Sequence, residues 1–123
     1  MSRAAAALLA TALLVLGACS QEAKTYEDAA SLARALDDAG IACESLEPGP
    51  RAELVSEQAT CTSGEDELGL YLFDSEGDRD NWLKLGARIE ATAVGPNWVV
   101  TGEASTVERA ADGLNATYDT PSS

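Results

Sequence analysis

Three stretches of this chain obey one spacing rule, and that rule dictates most of what it can fold into. Ala29, Leu32, Ala33 and Leu36 fall at i, i+3, i+4 and i+7; Trp82, Leu85, Gly86 and Ile89 repeat the spacing, and so do Val107, Ala110, Ala111 and Leu114. At about 3.6 residues per turn such residues share one helical face, so each stretch predicts an amphipathic helix that must bury its stripe. Each start also offers a capping-box pair: Thr25 with Asp28, Ser75 with Asp78, and Ser105 with Glu108. Such pairs satisfy amide donors that a first helical turn leaves open. Acidic residues near the starts, with Arg34, Lys84 and Arg88 further along, complement the helix dipole.

Strand signals fill the gaps. Residues 41–45 follow Gly40, a natural helix stop. Residues 58–62 and 68–73 flank a glycine-containing loop at 63–67, which predicts a hairpin. Leu68, Leu70 and Leu72 alternate with Gly69, Tyr71 and Phe73, so both faces of that strand read as buried. Gly95-Pro96 marks a turn, and residues 98–101 then read as a strand. Residues 46–56 read as a loop with room for one helical turn at 51–56, and the sequence is polar from Asn115 onward. The expected architecture is α+β in the order α-β-β-β-α-β-α. A mainly antiparallel sheet of about four strands would carry the three helices on one face. A single domain spans 25–115, followed by a flexible tail at 116–123.

Ahead of this domain lies an apolar run. Arg3 supplies a positive start, residues 4–16 are apolar apart from Thr11, and Leu16-Gly17-Ala18-Cys19 closes the run. It is shorter than the ~20 apolar residues a membrane-spanning helix needs. It matches the h-region of an export signal. Leu16, Gly17, Ala18 and Cys19 resemble the lipobox of bacterial lipoproteins. That resemblance implies that residues 1–18 are a cleaved signal peptide and that Cys19 carries diacylglycerol. Residues 19–24 would then tether the domain to the extracytoplasmic side of the cell membrane. Buried lipid contributes about 0.8 kcal/mol per CH₂, so two acyl chains hold stably where one does not. With Cys19 assigned to lipid, Cys43 and Cys61 remain as a pair in a disulfide-permissive compartment. A bridge between them would contribute about 3 kcal/mol.

Four further segments, Leu36-Asp37-Asp38-Ala39-Gly40-Ile41-Ala42-Cys43, Cys61, Leu70-Tyr71-Leu72-Phe73-Asp74 and Gly95-Pro96-Asn97-Trp98, resemble small actinobacterial lipoproteins with a two-cysteine domain. The resemblance implies this fold and location and carries over no site residue.

Beyond residue 18 the chain has seven basic and 21 acidic side chains, a net −14 that repels nucleic acid and anionic lipid headgroups. Histidine is absent, which removes the usual general base and its nucleophile pairs. Two cysteines without histidine do not close a zinc site. Residues 74–80 alternate carboxylates like a calcium loop, but Arg79 stands where that loop needs glycine and Leu85 where it needs glutamate. No catalytic residue, metal ligand or cofactor is therefore assigned, and Trp82 and Trp98 read as core. The expected role is a non-enzymatic, lipid-anchored envelope protein that binds a protein partner or serves a structure. The alternative is a solute- or cation-binding module using the acidic loops 65–67 and 74–80.

Overall fold

The computed structural model describes residues 22–85 and 90–120. Within them the elements run α1 Ala29–Asp38, β1 Glu44–Pro48, β2 Glu57–Ser63, β3 Asp66–Leu72, α2 Glu76–Leu85, β4 Ala91–Val94, β5 Trp98–Gly102, α3 Ala104–Leu114 and β6 Thr117–Asp119. The strands form one antiparallel sheet in the order β1-β2-β3-β5-β4-β6.

The outer helices follow their stripes. Ala29, Leu32, Ala33 and Leu36 are the buried residues of α1. Val107, Ala110 and Ala111 are buried on α3, together with Thr106. Helix α1 stops at Gly40, which adopts φ +89°. There the Ile41 amide donates to Leu36 O at 2.9 Å and the Gly40 amide to Asp37 O at 3.0 Å. This is a Schellman closure, which glycine permits without a Cβ penalty. The caps differ from the expected pairs. Asp28 itself caps α1, accepting from the Ser31 amide at 2.8 Å, and Glu103 caps α3, accepting from Thr106 N at 3.1 Å. Ser75 does cap α2, accepting from the Asp78 amide at 3.1 Å.

Side chains alternate across a sheet, so each strand feeds two layers. On one face Ala59, Cys61, Leu68, Leu70, Leu72, Ala93, Trp98 and Val100 pack under α1 and α3. On the other, Phe73 and Val99 meet Val55, with Tyr71, Trp82, Leu83 and Val94 half-buried around them. Helix α2 therefore lies on the opposite face from its sisters, not with them. Its aromatic contact is Trp82, whose ring centroid is 4.6 Å from Tyr71 and 5.6 Å from Phe73. Leu85 is 79% exposed, so the expected stripe of Trp82, Leu85, Gly86 and Ile89 does not form the contact; Gly86 and Ile89 lie outside the described residues.

The sheet has six strands among the described residues rather than four. β4 was not expected, and β6 replaces part of the supposed tail: Thr117 pairs with Val94 and Asp119 with Thr92. β1 begins at Glu44, three residues later than expected, and is exposed throughout. Its Glu44, Glu47 and Pro48 discourage further pairing at this sheet edge. Residues 52–55 form no helical turn; Ala52 and Val55 make an isolated bridge. The β2–β3 hairpin closes tightly, with Ser63 opposite Asp66 and Gly64 at φ +64°, as a glycine-first hairpin turn requires. Cys43 and Cys61 are joined, with Cα atoms 5.1 Å apart. Cys43 precedes β1 instead of lying on it, so the bridge fastens the α1–β1 connection to β2.

The β4–β5 turn shows the tightest fit. The Gly95 amide donates to Trp98 O at 2.9 Å, and a Cβ on Gly95 would stand 2.1 Å from Trp98 Cε2. Because that ring is wholly buried, it has nowhere to retreat. Gly95→Ala should lower the unfolding free energy in urea by about 3 kcal/mol, the cost of overpacking a filled core. A change within ~0.5 kcal/mol, the scale of a surface substitution, would show that the ring has space to move.

Candidate functional site

A buried indole N–H must find an acceptor. Trp98 Nε1 finds it in the carbonyl of Lys24, at 2.8 Å. One residue earlier, Asn97 holds the same segment with its amide: Oδ1 accepts from Tyr26 N at 3.0 Å and Nδ2 donates to Tyr26 O at 2.7 Å. The side chain thus pairs with one residue's backbone on both sides, as a neighbouring strand would. The Tyr26 ring lies 6.0 Å from that of Trp98, and burial raises the pKa of its hydroxyl. Three residues on, the Ala29 amide donates to Glu57 Oε1 at 2.9 Å.

Residues 24–29 are therefore a strap fastened to the domain at three points. The strap borders a groove of about 290 Å³ between the C-terminal ends of α1 and α3, lined by Glu22, Lys24, Tyr26, Asp38, Ala39 and Asn115. The two helices touch closely here: a Cβ on Gly113 would lie 2.8 Å from that of Ala39. Sequence reasoning missed Lys24, Tyr26 and Asn97. The available signal was the Trp98 donor itself, which needed a partner outside its own hairpin.

The two acidic loops do not converge. Residues 65–67 lie at the start of β3 and 74–80 follow its end, and seven strand residues at about 3.3 Å each hold them ~20 Å apart. In the first loop Asp66 Oδ2 accepts from Thr106 Oγ1 at 3.2 Å. In the second, Ser75 caps α2, while Arg79 donates to Gly95 O at 2.7 Å and Pro96 O at 3.0 Å and pairs with Asp80 at 2.8 Å. Among the described residues no group of three or more His, Cys, Asp or Glu side chains is placed to hold a metal ion. Leu16, Gly17, Ala18 and Cys19 lie outside the described residues. Cys43 and Cys61 are brought together as a disulfide. Trp98 is core; Trp82 is only half-covered.

Asp28 and Glu103 are held below the usual carboxylate range, by hydrogen bonds from Ser31 and from Ser105 respectively. A general acid needs the opposite displacement. A depressed folded pKa contributes stability above the unfolded value, lost as pH falls through the folded one. Asp28→Ala should therefore melt below the parent at pH 7, and the gap should narrow as pH drops under about 4, the unfolded aspartate value. Asp28→Asn, a good cap that does not titrate, should melt close to the parent at pH 7 and above it as pH drops under about 4. Thermal melts showing a constant gap down to about pH 2 would contradict a charged cap as the source.

Compared with protein-family models, with curated proteins and with solved structures, the chain matches none of them.

Proposed function

We propose that this chain is a lipid-anchored extracytoplasmic envelope protein, cut before Cys19 and held to the cell membrane by diacylglycerol on that cysteine. The Leu16-Gly17-Ala18-Cys19 segment carries the reading. The Cys43–Cys61 disulfide supports it twice over. It suits an oxidising compartment, and it takes up both other cysteines, leaving Cys19 of the chain's three for lipid. Among the described residues no helix is long and apolar enough to cross a membrane.

The role of the anchored domain is non-enzymatic, the binding of an envelope protein or a structural task. Its −14 charge disfavours nucleic acid and suits a partner with a basic surface. The alternative cation-binding module draws no support from two acidic loops ~20 Å apart on opposite ends of one strand.

Expression of the full chain in a bacterium, followed by membrane fractionation and intact mass measurement, tests the anchor. The chain should recover with membranes, start at residue 19 and carry the mass of diacylglycerol. Cys19→Ala should appear in the aqueous fraction. A parent chain that is uncut, or cut and lipid-free, would overturn the proposal.

A further inference from the structure

We infer that the domain stands on the bilayer in one pose, with the C-terminal ends of α1 and α3 against the lipid surface and the β2–β3 hairpin tip pointing away. This rests on the lipidation of Cys19 proposed above. Three residue steps separate Cys19 from Glu22, a reach of at most about 11 Å even when fully extended. Glu22 borders the groove formed with Asp38, Ala39 and Asn115, at the ends of those two helices. From Lys24 onward there is no slack, because Trp98 and Asn97 hold the strap. Acyl chains seated in the bilayer must then draw this groove to the headgroups.

Helix α3 sets the distance to the other side. Its 11 residues, rising about 1.5 Å each, span ~16 Å from the strap to its own start. At that start Glu65, Asp66, Glu67, Glu90 and Glu103 line a second groove. Charge favours the same pose. The strap groove has Lys24 beside Glu22 and Asp38, whereas among the described residues the far groove is lined by five carboxylates and no cation. Repulsion from anionic headgroups fades over about 8 Å at physiological ionic strength, less than the length of α3.

The test uses nitrogen-15-labelled, lipid-bearing full chain in bilayer discs of zwitterionic and anionic phospholipid, doped with a gadolinium-chelating headgroup lipid. Amide signals of Asp38, Ala39, Leu114 and Asn115 should weaken several-fold more than those of Gly64, Glu65 and Ala104. A flexible Gly-Ser insert of about ten residues between Gln21 and Glu22 should even out the two groups. Uniform or reversed weakening in a lipid-bearing chain would overturn the pose, and a gradient that survives the insert would overturn the strap as its cause. A chain whose Cys19 bears no lipid overturns the anchoring reading itself, and mass measurement separates that result from the others.

Discussion

The indole of Trp98 must be both buried and hydrogen-bonded, and much of the molecule is arranged to meet the two demands. Burial comes from the layer beneath α1 and α3, where Trp98 sits opposite Leu72 in the ladder. The ring lies against Gly95, whose missing side chain makes room for it. The hydrogen bond comes from outside the hairpin, at Lys24 O. The same turn is held from other directions as well: the Phe73 amide donates to Asn97 O at 2.9 Å, and Arg79 of α2 donates to the carbonyls of Gly95 and Pro96. Residues 95–98 thus join the central strand β3, the strap on one face of the sheet and α2 on the other. A change at this turn reaches both layers.

The disulfide complements this arrangement at another place. The Cys43 amide donates to Asp37 Oδ1 at 2.9 Å, so the bridge fixes the end of α1 as well as the start of β1 against β2. In a domain of this size the apolar core alone supplies little surplus stability, and closing an 18-residue separation contributes about 3 kcal/mol. On the anchoring reading, the resulting body would be rigid from the strap to the far hairpin. Its contribution to the envelope would then be position and surface, presented at a set height above the lipid.

Helices α1 and α3 were legible because their spacing alone determines which residues are buried, and Gly40 marked the first one's end. Helix α2 was legible as a helix but not in its placement. The clue was present in β3 and the residue after it, where Tyr71 and Phe73 alternate with the leucines and require a second layer that one-sided packing does not provide. β4 alternates the β-branched Thr92 and Val94 with alanines at positions 91 and 93, and at four residues it is too short for that alternation to stand out. β6 is three residues with only Tyr118 packed against the core, too short for any alternation to show. Caps shifted by two or three residues because neighbouring Thr, Ser, Asp and Glu side chains compete for the same amides. The strap was illegible for a plain reason: its acceptor is a backbone carbonyl, which every residue has.

The segment following residue 23 belongs to the folded body and hangs on the 95–98 turn. Native-state hydrogen exchange at the Tyr26 amide in the full chain tests it most directly, since that proton is donated to Asn97 Oδ1. Exchange should be slowed into the range of the sheet amides of β5, and in Asn97→Ala it should be fast at Tyr26 alone with the sheet still protected. Exchange at the rate of an unstructured peptide in the parent chain would contradict it.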